Sequence, residues 1–391
     1  MGSIIDGKRR WPVPSPSPLV PPRGTPVIGQ QRQAAAPVAP GPKRRLASRR
    51  GLLGACAVLT LLLVVSVVVA IGLGPAVIAP GETARHLWAA LSGGTIGADE
   101  VTTHQIIWQI RTPRVLLAAL VGAGLSAIGV VIQAMVRNAL ADPFVLGVSS
   151  GASVGAVAVT TTGGLAVLGI HAVSVGAFLG ALGASLLVYL AAAGRGGLSP
   201  LRLVLTGVAM SLGFQAVMSL LVYLAPNNEA TSTVLFWTMG SFGAASWDVL
   251  PVVAVAVLGG LVLMYRRGRV LDVLSLGDET AASLGVAAGR QRTVLLVIVS
   301  LVTGVMVAVS GAIAFVGLVM PHVVRILVGA THARVLAVAP LAGALFMVWV
   351  DLAARTVVAP RELPLGVITA LVGVPVFVAL MRRGGYTFGG R

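Results

Sequence analysis

The chain is poor in charge. Only 10% of its 391 residues are Asp, Glu, Lys or Arg, and just 12 are acidic. Water-soluble domains carry about 25% charged residues, so this mixture cannot clothe a water-facing fold. Cysteine is nearly absent too. Cys56 stands alone inside an apolar run, which excludes a disulfide framework and a thiolate metal site. No Gly-x-x-x-x-Gly-Lys-Ser/Thr stretch occurs, so the chain has no phosphate loop in which to hold ATP. His86, His104, His171 and His332 are scattered, and His322 has no second ligand three or four residues on. We therefore expect no metal site and read His322 as a satisfied polar contact. No nucleophile–base pair lies within an apolar run, which argues against an intramembrane enzyme.

What is present is hydrophobic: 57% of residues, with a mean hydropathy of +0.96. Ten apolar runs follow one another: Leu52–Leu73, Pro113–Ile132, Val145–Thr162, Ala172–Ala193, Leu203–Leu224, Val249–Tyr265, Val294–Ile313, Phe315–Val328, Val335–Val358 and Leu365–Met381. A helix needs roughly 20 apolar residues to cross about 30 Å of hydrocarbon at 1.5 Å per residue. A membrane barrel would alternate polar and apolar positions, and these runs are apolar on every side. The expected fold is all-α and polytopic, with about ten transmembrane helices. The eighth run is short, contains Pro321, His322 and Arg325, and is open to a re-entrant reading.

Residues 1–50 are rich in Pro, Ala, Gln and Arg and read as a disordered tail, or as the product of an early start codon. Ten of the 28 basic residues lie in that tail, and most others sit in short gaps between runs. The net charge of +16 is therefore a topology signal and not a nucleic-acid footprint. With the tail inside and ten crossings, Arg137, Arg195, Arg202, Arg266, Arg267, Arg269, Arg290, Arg292, Arg334, Arg382 and Arg383 face the cytoplasm. The other side keeps Arg85, Arg111, Arg114, Arg361 and Arg355, together with Glu82, Asp99, Glu100, Glu229, Asp248 and Glu362. That asymmetry predicts a multi-pass plasma-membrane protein with both termini cytoplasmic.

Gly147, Gly151 and Gly155 recur at every fourth position, a spacing that lines one helix face for close packing. Glu82 to Leu91 reads as a short amphipathic surface helix in an external loop. The loop 269–289 interleaves Leu271, Leu274, Leu276, Ala281, Leu284 and Val286 with Asp272, Asp278 and Glu279. One or two short amphipathic helices fit that pattern. A helix lying on the lipid interface would usually be basic, so the local acidity favours a protein partner. Asp142-Pro143 has the form of an N-cap followed by proline at the first helical position.

Six patches, in order, resemble the FecCD family. They are Arg111-Thr-Pro-Arg114 with Gly122-Ala-Gly-Leu125, Gln133 and Arg137-Asn-Ala-Leu-Ala-Asp-Pro-Phe-Val-Leu-Gly147; Trp237-Thr-Met-Gly-Ser241; Leu276-Gly-Asp-Glu279; Ser283-Leu-Gly-Val286; Gly311 to His322; and Glu362-Leu-Pro-Leu-Gly-Val367. The likeness runs from Gly51 to Arg383; the proline-rich tail has no counterpart in the family pattern. These are permease subunits of ABC importers for ferric siderophores, haem and cobalamin.

The resemblance implies a type II ABC importer subunit of ten helices that dimerises, with a second copy or a related permease, around a central path. ATPase subunits carrying ATP and Mg would sit on the cytoplasmic side, and a substrate-binding protein would dock from outside. This chain itself would bind no cofactor. Coupling to the ATPase maps to Leu271, Leu274, Leu276, Gly277, Asp278, Glu279, Leu284 and Gly285. Docking maps to Arg111, Arg114 and Arg355, which without the resemblance read equally well as snorkelling anchors. Asp351, one turn before Arg355, would pair with it and hold its guanidinium outward. A cytoplasmic gate maps to Leu198-Ser199-Pro200-Leu201, where an ordinary interhelical turn is the alternative. A ferric siderophore is the expected substrate, ahead of haem and cobalamin. The competing class is an ion-driven secondary transporter, for which only Asp351 offers a mid-membrane acid.

Overall fold

The computed structural model describes residues 48–194, 197–225, 234 and 237–382. The proline-rich tail up to residue 47, Arg195, Glu229 and Arg383 lie outside the described residues. Among the described residues the regular structure is helical, apart from one two-stranded hairpin. Each of the ten apolar runs carries a helix.

Helix α1 (Arg49–Gly72) starts where the Ser48 hydroxyl accepts the Gly51 amide proton. It is buried against the chain only at Ser66, Ala70, Ile71 and Gly72, which leaves its apolar sides to lipid. The external amphipathic segment forms α2 (Pro80–Ser92), opened by Pro80 and closed by Gly93 in the left-handed conformation. Helix α3 (Val101–Gln105) continues through a π-helical turn, Ile106–Arg111, into α4 (Thr112–Met135). Such a turn widens the helix locally and re-aims its side chains. The indole of Trp247 donates to the Trp108 carbonyl at 2.8 Å and stacks on its ring at 4.5 Å, which pins the turn.

Helix α4 is the axis of the bundle. Every residue from Gly124 to Met135 is buried. An added Cβ on Gly122 would overlap the Gly343 carbonyl, and one on Gly129 the Gly317 carbonyl. Neighbouring backbones therefore approach α4 as closely as glycine permits.

Helices α5 (Val148–Thr162) and α6 (Ala172–Ala192) pair closely. Gly151 and Gly155 of α5 meet Gly176, Gly180 and Ala184 of α6. Gly147 is not part of that face. It precedes α5 with φ 74, near Ser211 and Phe214, and its requirement is the left-handed backbone. Asp142 does cap, accepting from the Phe144 amide at 3.0 Å. What it caps is a separate single 3₁₀ turn, Pro143–Leu146, ahead of α5.

The hairpin β1 (Ala193–Gly194) and β2 (Gly197–Leu198) leads into α7 (Pro200–Tyr223), buried only at Pro200, Leu203 and Gly207. Helix α8 (Leu250–Arg266) breaks by 57° into the short α9 (Gly268–Ser275), followed by α10 (Asp278–Ser283). The remaining helices are α11 (Ala288–Ser310), α12 (Val316–Val328), α13 (His332–Thr356) and α14 (Leu365–Arg382).

Among the described residues, six helices are long and apolar enough to cross a membrane: α1, the α3–α4 unit, α6 with its leading 3₁₀ turn, α7, α11 and α13. The bent α8–α9 pair makes a seventh, while α12 and α14 are shorter. At 1.5 Å per residue the 13 residues of α12 reach about 20 Å, less than the about 30 Å of hydrocarbon. Its start lies inside the bundle: Gly317 rests against Gly129 and Pro143. Gly129 is six residues, roughly 9 Å, from the end of α4. The segment before α5 therefore turns back into the bundle, which explains why both α5 and α12 are short.

Candidate functional site

Two polar clusters mark opposite ends of α4. At the α2 end, the π-helical turn aims Arg111 at the C-terminus of α1. Its guanidinium donates to the carbonyls of Ile71 (3.0 Å), Gly72 (2.8 Å) and Ala76 (2.5 Å). Carbonyls at a helix end lack intrahelical partners and carry partial negative charge, so a cation is well placed there. Arg355 does the same from α13, donating to Ala70 at 3.0 Å and Leu73 at 3.3 Å. Arg114 grips two acids. Its Nε donates to Asp351 at 2.8 Å, and its two terminal nitrogens fork onto Glu362 at 2.8 and 2.9 Å. Asp351, wholly buried, also pairs with Arg355 at 3.0 Å.

The three arginines thus converge, but they are only 5%, 7% and 4% exposed. The expected outward-facing guanidinium at Arg355 is not found. The α1 carbonyls draw it inward, which the i, i+4 spacing to Asp351 could not reveal. Further out, Arg85 and Glu100 pair at 2.5 Å on the surface. The guanidinium bonded to Glu100 holds that carboxyl below its usual range.

At the opposite end, α9 and α10 lie against the bundle. Leu271 and Leu274 are fully buried and anchor α9, while Leu276 (61%) and Leu284 (59%) are exposed, as is Glu279. Gly277, with φ 111, makes the corner between the two helices. Two side-chain pairings fasten the loop. Asp272 accepts from the His332 backbone at 2.9 Å and meets its imidazole at 2.6 Å. Partial burial pushes the Asp272 carboxyl up, yet the hydrogen bonds from His332 outweigh it and hold it below its ordinary 3.8. Asp278 takes both arms of Arg292, at 2.9 and 2.5 Å. Chiefly that hydrogen bonding holds the Asp278 carboxyl below its ordinary value too.

The turn 198–201 sits beside this loop. Ser199 caps α7, its hydroxyl accepting from the Arg202 amide at 3.4 Å, and Pro200 takes the first helical position. Leu198 is 2% exposed and packs in the core. Leu201, 68% exposed, is the leucine left facing outward.

The sequence profile of the FecCD transport family matches residues 62–383. The chain belongs to the FecCD family. Relatives of this permease include the iron(3+)-hydroxamate import permease of Bacillus subtilis, 38% identical over 72% of this chain and 72% of that one. The cobalamin import permease of Halobacterium salinarum is 41% identical over 72% and 74%. A solved inward-facing structure assigned to the metal-chelate type of ABC transporter superposes with a TM-score of 0.73 at 32% identity. It covers 86% of this chain and all of the other.

Several residues of this FecCD chain escaped the sequence reading. Glu362 was read as an external acid and as the start of a family patch, without a partner, yet it is the forked partner of Arg114, 248 residues away. Arg292 counted only as a topology charge, yet it is fully buried. Gln133 bonds the carbonyls of Gly317 and Leu318 at 3.3 Å and accepts from Arg325 at 2.5 Å, joining α4 to α12. A usable signal existed for Arg292. It is a cation in the first turns of α11, where the helix dipole disfavours one, so a nearby anion was to be expected. Among the described residues no group of three His, Cys, Asp or Glu could hold a metal ion.

Proposed function

We propose that this chain is the membrane-spanning subunit of an ATP-driven importer that carries a ferric siderophore inward by alternating access. The observation that carries the proposal is the fold match to an inward-facing ABC transporter across 86% of the chain. The α9–α10 end faces the cytoplasm in this reading, and both termini lie there. Exposed Leu276, Glu279 and Leu284 would enter a groove on a separate ATPase that supplies ATP and Mg, while buried Leu271 and Leu274 hold the loop to the spans. The α2 end would receive an extracytoplasmic binding protein. For Arg114 to meet an acid on that partner, the partner must displace the 40% exposed Glu362 from its fork. A second permease, identical or related, would complete the path.

The siderophore reading draws on the hydroxamate relative, and the cobalamin relative is just as similar. Haem or cobalamin is accordingly the alternative cargo. An ion-driven transporter is disfavoured by the pinning of Asp351 between two arginines.

Co-expression of the tagged chain with its genomic neighbours, followed by purification in mild detergent, tests the proposal. A stoichiometric ATPase should co-elute, and the complex, reconstituted into sealed vesicles with its binding protein, should take up labelled ferric hydroxamate in preference to haemin or cobalamin. Elution of the chain alone, in the presence of a well-expressed ATPase, would overturn the importer reading.

A further inference from the structure

Among the described residues, Arg292 is the largest side chain that the fold buries completely. Its position on α11 lets one guanidinium reach three other elements. Nε donates to the Met135 carbonyl, at the C-terminus of α4, at 3.0 Å. Nη1 donates to the Leu198 carbonyl, at the end of the hairpin, at 3.1 Å. The same Nη1 and its neighbour Nη2 take the two oxygens of Asp278, the first residue of α10. Among the described residues, Asp278 is the one acid bonded to this buried cation, and it sits on the half-exposed loop. The Leu198 carbonyl stands one residue before the cap of α7, a helix whose buried residues, Pro200, Leu203 and Gly207, all lie toward its start.

We propose that Arg292 is the positioning residue that transmits displacement of the α9–α10 loop to the hairpin and the start of α7. The inference rests on the importer reading for its direction of use, though not for the linkage itself. A planar fork fixes the guanidinium relative to the carboxylate. Moving Asp278 must therefore rotate or withdraw the same group that holds the Leu198 carbonyl. Lysine has one nitrogen and cannot satisfy a carboxylate and two carbonyls in these directions. Withdrawal of Asp278 alone leaves a buried cation without its anion, so Arg292 has to leave its site.

Hydrogen exchange on the full chain in lipid nanodiscs tests the linkage without any ATPase. Asp278→Asn should speed exchange in the peptide 193–203 and in the last turn of α4 by about tenfold or more, the scale of a lost charge-assisted hydrogen bond. Arg292→Lys should do the same. Arg290→Gln, which removes an exposed cation from the same helix, should leave both peptides unchanged, and α5 and α6 should stay protected in all three variants. A hairpin that stays protected in Asp278→Asn or in Arg292→Lys would overturn the proposal, as would a rise spread evenly over the molecule. In the assembled transporter, a cysteine at position 201 in a Cys56→Ser background should change its thiol-labelling rate with ATP and vanadate. In Arg292→Lys that change should vanish while ATP hydrolysis persists. Persistence of the change would also overturn the proposal. Absence of an ATPase from the purified complex would instead remove the importer reading and leave the exchange result standing.

Discussion

Arg114, Asp351 and Glu362 show how burial sorts interactions that look alike on paper. Both acids pair with one arginine, but Asp351 is fully buried while the side chain of Glu362 is 40% exposed. Removing one partner of a buried pair strands the other charge, at a cost of about 3–5 kcal/mol, whereas exposed pairs contribute about 0–1 kcal/mol. Asp351→Asn should therefore lower the denaturation midpoint in detergent far more than Glu362→Gln does. Equal effects would mean that the outer end of the bundle is wetter than the fold implies. The Asp351–Arg355 pairing was legible because it is local, one helical turn apart. Arg114 with Glu362, and Arg292 with the Met135 and Leu198 carbonyls, were not, because sequence spacing carries no information about acceptors, side-chain or backbone, brought in from distant elements.

Helices here meet through glycine, and position decides what each one does. Gly155 faces the backbone of α6, where an added methyl overlaps the Gly176 carbonyl; Gly183 on α6 has open space. Gly155→Ala should destabilise by about 1–3 kcal/mol through forced separation. Gly183→Ala should be neutral, or stabilise by up to about 1 kcal/mol through helix propensity. Thermal unfolding of the two variants distinguishes them. The four-residue spacing of Gly147, Gly151 and Gly155 gave a helix face, but the helix begins only at Val148, so the first member serves the backbone turn.

The α9–α10 loop is fastened differently, through carboxylates. Asp272 and Asp278 both titrate below 3.8 when folded, so their contribution is complete above that value and is lost as pH falls through the lower folded values. Amide exchange in residues 269–285, corrected for intrinsic rates, should show no pH dependence from these two acids between pH 8 and 5. It should rise only below about pH 4. A rise beginning near pH 6 would point to another group.

At the scale of the whole chain, hydropathy placed a helix under every apolar run, and the positive-inside bias gave an orientation that can be checked. Cys56 is the lone cysteine, so Cys56→Ser provides a clean background. Single cysteines at exposed Leu276 and Leu284 should react with an impermeant maleimide only from the cytoplasmic side, and one at exposed Leu91 only from outside. Labelling of all three from one face would contradict the topology. What hydropathy could not give is depth. Run three looked like a span of ordinary kind, and run eight was short enough to admit a re-entrant reading. Their helices are short because the chain around Pro143 and Gly317 folds back against Gly129, a tertiary contact invisible to any window of residues.

The stacked pair of Trp108 and Trp247 has a consequence of another sort. Two of the six indoles lie with ring centroids 4.5 Å apart, close enough for their electronic transitions to couple. The pair should therefore give the folded chain an exciton band in its circular dichroism, lost when the rings separate. Because one ring sits on the π-helical turn that aims Arg111 and the other stands just ahead of α8, that signal reports whether the outer end is assembled, with no dye attached.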